Sequence, residues 1–495
     1  MGEAIRIRLG HNKGALLIAA ATSAVLVAFA SGYGYHRDEL YFLASGHHLD
    51  WAYADQGPVA PLIARVMSDI APGSLTMLRI PSAIAAGGTV LLTGLLAREF
   101  GGSRRAALIA AACAAVASIV LVTGHLLSTS TFDLLAWTAL TWLCVRAVRT
   151  GEDRLWLIAG GVLGVGLLNK PLPAFLGIGM LAGVVIGGPR GLLRNHYVWL
   201  GTAIAIALWM PWILWQADHD WPQVDVSRSI AEGQSASSEP WWAIVPFQFL
   251  LVSPLLAPVW IAGLVRLFRD PTLRGVRFLA WAWVVLAVVF MASGGKPYYL
   301  AGLLPALLGA GAGVVDGWLD RGRERARVAL LAVALAMSAA VSLIIALPLL
   351  PADQSDPVIE VNDDVGETIG WPELVQTVAS VKQGLPSAQE PVILTSNYGE
   401  AGAIDRYGPS LGLPHAYSGH NAYGEWGPPP EGSAPVITVG LDRGVLGTRF
   451  RNCKLVTRID NAAGVDNDEH GAPVAVCAGP RRAWSQDWDA LRHLG

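Results

Sequence analysis

Two carboxylates, Asp38 and Glu39, stand side by side directly after His36 and Arg37, at the start of the run RDELYFLASG. An acidic pair beside a histidine and an arginine suits acid–base work, in which a carboxylate takes a proton from a reacting group. The same residues also have a purely local use, because Asp38 can cap a helix and Glu39 favours the positive end of its dipole. A second acidic position, Asp55, precedes Gln56-Gly57-Pro58, and the prolines at 58 and 61 set a rigid turn. The cations worth locating are Lys170 and Lys296, two of only five lysines, each at the end of an apolar run and each followed by proline. Such a point charge can hold an anion, or it can anchor or snorkel at an interface. His36, His47, His48 and His125 have no recognised ligand spacing with these acids, so no metal ligands and no cofactor are assigned, and a divalent metal is the weaker expectation.

The elements that must position these groups follow from composition. Of 495 residues, 53% are hydrophobic and only 15% charged, and mean hydropathy is +0.44. These values exclude a soluble single-domain enzyme and a disordered chain, and a net charge of −3 leaves no footprint for nucleic acid. The expected partner is membrane lipid. Eleven apolar runs long enough to cross a bilayer, some of them short and tilted, are expected at about 14–31, 80–97, 106–123, 132–145, 155–168, 172–187, 197–215, 242–265, 278–292, 299–315 and 328–350. The first is not a cleavable signal, because no small-residue cleavage site precedes Tyr33.

Alternate connections differ in basic content. Nineteen Lys and Arg occupy one set, against five in the other (Arg37, Arg65, Lys170, Arg228 and Lys296), with Arg79 at a boundary. Because basic residues collect on the cytoplasmic side, the N-terminus is expected inside the cytoplasmic membrane, with residues 352–495 outside. The chemistry-bearing residues then share the outer surface. Span interiors hold no Asp, Glu, Lys, Arg or His except Asp133 at the outer end of the fourth, which speaks against the rival class of a transporter or lipid flippase. Residues 39–48 are expected as an amphipathic helix lying on the membrane, with Tyr41 and Phe42 at the interface. The polar connector 216–241 reads either as a lid or as an exposed linker. The domain boundary falls between a 1–350 transmembrane domain and a 352–495 domain. In the latter PVILTS, PVITVG, KLVTRI and PVAVCAG read as strands, and WPELVQTVASVKQGL, GEAGAIDRYG and the segment after Trp484 read as helices of a small α/β module. Cys453 and Cys477 share this outer domain and are expected to pair, whereas Cys113 and Cys144 lie inside spans.

Five motifs in order then meet a known pattern: HRDELYFLASG, the W-Y-D-Q-G-P-x-x-P-L series from Trp51, STSTFD, NKP and GGKPYYLAGLLPAL. Together they resemble the bacterial polyprenyl-phosphate-sugar glycosyltransferases of glycosyltransferase family 39 and its relatives, which include protein O-mannosyltransferases and lipid A aminoarabinose transferases. The resemblance covers about residues 30–310, with NYGEAGAIDRYG and SGHNAYGEWGPP downstream. It implies a polytopic α-helical membrane protein of GT-C type. It also implies an inverting transfer of a sugar, mannose first and aminoarabinose or arabinose as the alternative, from a polyprenyl-phosphate donor to a hydroxyl of a glycan, lipid or secreted protein. Asp38 matches the family's general base. Asp55 matches its second acid, although Gln56-Gly57-Pro58 replaces the usual double proline. The donor phosphate is assigned to Lys170 and Lys296, with Arg79, Tyr298 and Tyr299. His36, Arg37, His125 and Asp133 line the site, and Tyr398, Glu400, Arg406, Tyr407, His420 and Asn421 either border it or serve folding.

Overall fold

A computed structural model describes residues 13–233, 239–386 and 390–494. Arg6 and Arg8 of the expected basic N-terminus, and residues 234–238 of the polar connector, lie outside them. Among the described residues, five helices are long and apolar enough to cross a bilayer: Leu75–Glu99, Thr129–Thr150, His196–Asp218, Pro297–Leu319 and Glu324–Ala346. Two bent pairs raise the number to seven: Arg104–Ala115 with Ser118–His125, at 55°, and Trp241–Val252 with Pro254–Arg269, at 90°. Pro254 cannot donate to the preceding turn and Ser253 sits at φ 118°, so the second helix starts in a new direction. Four shorter apolar helices, Lys13–Phe29, Leu155–Asn169, Leu172–Gly187 and Phe278–Ser293, occupy the remaining expected runs. The chain is a polytopic α-helical membrane protein with a sheet-containing C-terminal domain.

The chain divides into two compact units. The first comprises the chain up to Ala30, Arg79–Asp220 and Ser227–Leu347, and holds nearly all of the apolar helices. Its backbones approach closely where glycines face each other. A Cβ on Gly160 would fall 2.1 Å from the Gly201 carbonyl oxygen, and one on Gly311 would fall 1.8 Å from that of Val259. Segments expected in the cytoplasm carry paired charges: Glu99 accepts from Arg146 at 2.9 Å and from Arg149 at 2.5 Å, and Arg105 binds Asp316 and Asp320.

The second unit comprises Ser31–Leu78, Trp221–Val226 and Pro348–Gly495. The first connection therefore folds with the tail, where the sequence boundary had grouped it with the transmembrane part. Its helix Arg37–His47 buries Leu40, Tyr41 and Phe42 to 3% exposure or less, and Leu40 packs on the bare backbone of Gly402. This corrects the expectation of a helix lying on the membrane, since protein covers its apolar face. Five strands form one sheet in the spatial order 416–418, 392–395, 436–439, 473–477, 454–458. The first three are mutually parallel and the last two join antiparallel. The central pair 392–395 and 436–439 is buried at every position, as continuous apolar strands covered on both faces must be. Helices Trp371–Gln383 and Tyr398–Tyr407 form where expected. After Trp484 only short turns form, Trp484–Asp487 and Trp488–Ala490, and strand 416–418 is an addition to the expected four. Cys453 and Cys477 are joined by a disulfide, while Cys113 and Cys144 are free and buried. The polar connector contains a helix, Pro222–Ala231.

Candidate active site

In the second unit the acidic residues are held by a capping arrangement that the sequence did not disclose. His36, not Asp38, caps helix Arg37–His47: its Nδ1 accepts from the Asp38 amide at 3.1 Å, and Glu39 reaches back to the His36 amide at 2.9 Å. This reciprocal box satisfies two orphan donors and consumes Glu39, which is fully buried. The Asp38 carboxylate is left for other work. Its Oδ1 accepts from the Tyr398 hydroxyl at 2.8 Å, and the same hydroxyl accepts from Arg37 Nε at 3.2 Å. Among the described residues no donor lies on its Oδ2. Arg37 is fixed in turn by Glu367 at 2.8 Å and Asp468 at 3.4 Å, and its guanidinium lies 5.0 Å from the centre of the Tyr398 ring.

Asp55 is held differently. Tyr41, one helical turn past Asp38, donates to its Oδ1 at 2.7 Å, and Asn421 Nδ2 donates to its Oδ2 at 2.9 Å. Tyr53 fixes the strap that carries Asp55: its buried hydroxyl donates to the carbonyls of Ser45 and His48, and its amide bonds Gln56. Asn421 has φ 49° and ψ −134°, a backbone conformation that non-glycine residues seldom adopt. The rings of Tyr41 and Tyr398 stack at 4.5 Å, and His420 lies 4.7 Å from the latter. Burial pushes the Asp55 carboxyl up to about 7, with the Tyr41 bond opposing the rise and the charge of Asp38 adding to it. Burial also holds Tyr41 and Tyr398 well above the ordinary phenol range, so both act as neutral O–H donors.

His36 Nε2, Asp364 and Glu367 lie close enough to present one ligand atom each to a metal. The capping bond counts against that use. A metal on Nε2 requires the ring proton on Nδ1, and Nδ1 already accepts the Asp38 amide. Desolvation opposes a charge on this ring while Asp364 and Glu367 favour one. Nε2 itself stands 2.8 Å from Glu367.

In the first unit a cation lies among aromatic rings. Lys170 ends helix Leu155–Asn169, and Pro171 opens Leu172–Gly187, so the chain reverses there with the lysine at the turn. Its Nζ is 5.2 Å from the Tyr298 ring centre, 5.6 Å from that of Tyr299 and 3.5 Å from Ser130 Oγ. It forms no ion pair among the described residues, so an ammonium solvated by π faces remains available to an anion. Ser128 caps helix Thr129–Thr150, Asn169 ties the Lys170 turn to the Thr129 carbonyl at 2.8 Å, and Asp133 accepts from Trp137 at 3.1 Å. Lys296 precedes the 3-10 turn Pro297–Leu303 that carries both tyrosines, and its carbonyl accepts the Tyr299 amide. Arg79 is fully buried and donates to the Ala30 carbonyl at 2.9 Å, which makes it a tie between chain segments; His125 is buried as well.

Residues 55–215 match the family model described as dolichyl-phosphate-mannose-protein mannosyltransferase. The fold is similar to that of ArnT from Cupriavidus metallidurans bound to undecaprenyl phosphate, with a TM-score of 0.60 and 14% identity over 93% of this chain and 97% of that one. The likeness shows that the chain has the GT-C type of fold. A second likeness is to the archaeal oligosaccharyltransferase AglB from Archaeoglobus fulgidus in complex with an inhibitory peptide and a dolichol-phosphate, with a TM-score of 0.50 and 14% identity over 80% of this chain and 63% of that one. No curated protein matches in sequence. The expected residues fall into two groups. Asp38, Asp55, His36 and Arg37 are gathered in one unit, and Lys170, Asp133, Tyr298 and Tyr299 in the other. Tyr41 was read as an interfacial tyrosine, although its position three residues after Asp38 puts both on one helix face.

Proposed function

We propose that this GT-C protein transfers a sugar, mannose first, from a polyprenyl monophosphate to an acceptor hydroxyl on the outer face of the cytoplasmic membrane, with inversion at the anomeric carbon. The carrying observation is the state of Asp38: released from capping, aimed by Tyr398 and Arg37, with Oδ2 open. In one displacement the acceptor oxygen bonds to the anomeric carbon, its proton passes to Asp38, and the carbon–oxygen bond to phosphate breaks with its electron pair leaving on the polyprenyl phosphate. Lys170 supplies a cation for that phosphate, and Tyr298 and Tyr299 shield it. Asp55 is less suited to be the base because both of its oxygens are occupied and burial favours its protonated form. Mannose is supported by the description of the matching family model, and the lipid-linked donor by that description together with the lipid phosphates named for ArnT and AglB. The outward orientation rests on the basic-residue count. The acceptor class is a glycan, a lipid or a secreted protein.

The test is transfer by the purified chain in nanodiscs from synthetic polyprenyl-phosphate mannose to a panel of glycan, lipid and peptide acceptors, with the product anomer determined by NMR. A mannosylated product of opposite anomeric configuration is expected. Transfer only from a polyprenyl-phosphate pentose or amino sugar would replace mannose, and no transfer from any lipid-linked sugar would remove the proposal.

A further inference from the structure

The run SGHNAYGEW, which leaves the carboxyl end of strand 416–418, is built around a strained residue. Asn421 is buried, at 5% exposure, and its φ of 49° with ψ of −134° lies where side chains are seldom tolerated. Neighbouring chain enforces that geometry. The Asn421 amide donates to the His493 carbonyl and the His493 amide to the Gly419 carbonyl, both at 3.0 Å. A Cβ on Gly419 would fall 2.0 Å from the Leu491 carbonyl oxygen, and Trp488 Nε1 donates to the Gly424 carbonyl at 2.8 Å. Residues 488–493 thus form a strut behind the loop.

Two adjacent donors of this loop converge on one carboxylate. Asn421 Nδ2 donates to Asp55 Oδ2 at 2.9 Å. The Ala422 amide donates at 3.1 Å to the Tyr41 hydroxyl, which itself donates to Asp55 Oδ1 at 2.7 Å. One oxygen of Asp55 is therefore fixed directly and the other through a buried tyrosine, and all of these residues belong to the second unit. A loop whose only task was to reverse the chain would form more readily with glycine at 421, because glycine reaches this backbone region freely. A strained asparagine persists where its side chain is needed. We propose that Asn421 is a positioning residue of the active site: with its side chain, and with the Ala422 amide acting through Tyr41, it orients the Asp55 carboxylate. The tail loop 418–424 is then part of the transfer machinery. This rests on the reading of Asp38 and Asp55 as the two acids of a sugar transferase.

The experiment uses the full chain in nanodiscs and reads Tm together with steady-state transfer from polyprenyl-phosphate mannose. Asn421→Asp sets a carboxylate against Asp55 and should lower Tm by about 5 °C. Adding Asp55→Asn reverses the polarity of the pair and should bring Tm back to within about 2 °C of Asp55→Asn alone. Additive losses in the double variant would overturn the proposal, because Asn421 would not be holding Asp55. Asn421→Gly and Asn421→Ala lose the same donor, but only glycine relieves the backbone. Glycine should therefore melt above alanine, while kcat falls about tenfold or more in both, with donor KM within about threefold of wild type. Wild-type kcat in Asn421→Gly would also overturn the proposal, since the residue would then serve the loop alone. If the unaltered chain transfers no lipid-linked sugar, the functional reading fails by itself, and the Tm cycle still upholds or overturns the hold of Asn421 on Asp55.

Discussion

Removing the Tyr398 hydroxyl isolates the contact that aims Asp38. In Tyr398→Phe the ring keeps its stacking on Tyr41 at 4.5 Å and no cavity forms, but Asp38 Oδ1 loses its donor at 2.8 Å and Arg37 Nε its acceptor at 3.2 Å. Hydrogen bonds to charged groups contribute about 1.5–3 kcal/mol. Because Tyr398 is only partly buried and water replaces some of what is lost, about 1–2 kcal/mol of stability should disappear, a fall of a few degrees in Tm. The effect on turnover is separate. A base free to rotate away from the acceptor proton loses orientation, and roughly tenfold in rate corresponds to about 1.4 kcal/mol of barrier. The expected result is a kcat reduced about 10- to 100-fold with donor KM within about twofold of wild type. The assay is steady-state transfer in nanodiscs, with Tm measured in parallel. An unchanged kcat accompanied by the lower Tm would refute the reasoning, because Tyr398 would then be only a packing residue.

Three further outcomes follow from the two clusters and the topology. Lys170→Met should raise donor KM about 10-fold or more, as loss of the half-buried cation implies, and Lys170→Arg should recover part of it; equal donor affinity in all three proteins would leave anchoring as the role of the lysine. Burial raises Asp55 to about 7 from 3.8, and Glu400 and Glu469 to about 7 and 8 from 4.5, so the stability they contribute is complete below about pH 4 and is lost as pH rises through 7 to 8. Tm should therefore fall between pH 5 and 8.5, and less so in Asp55→Asn; an identical fall in that variant would contradict the assigned shift. A reporter active only in the cytoplasm, fused after residue 360, should be silent, and strong activity would invert the orientation.

The apolar helices were legible because bilayer thickness dictates their length, and even the two bent pairs occupy single expected runs. The central strands 392–395 and 436–439 were legible as short β-branched runs between turn residues. The cap was misread because histidine accepts from a helix amide only when its own backbone is extended, here with His36 at ψ 150°, which composition does not reveal. The helix at 37–47 was assigned to lipid because periodicity identifies an apolar face without identifying what covers it. Here residues of the tail, including Gly402, cover that face, and the next helix is the one whose large apolar residues stay exposed. Contacts such as Tyr398 with Asp38 and Asn421 with Asp55 join positions hundreds of residues apart, and no local pattern encodes them.

The central claim is that Asp38 takes the acceptor proton, and Asp38→Asn tests it most directly. His36 and Glu39 form the cap, so the substitution leaves the helix start intact, and asparagine can still accept from Tyr398. Turnover from a defined polyprenyl-phosphate sugar in nanodiscs should fall by about two orders of magnitude or more, while donor binding and Tm stay near wild type. Near-normal turnover in Asp38→Asn, set against an inactive Asp55→Asn that still folds, would contradict the account and move the proton to Asp55.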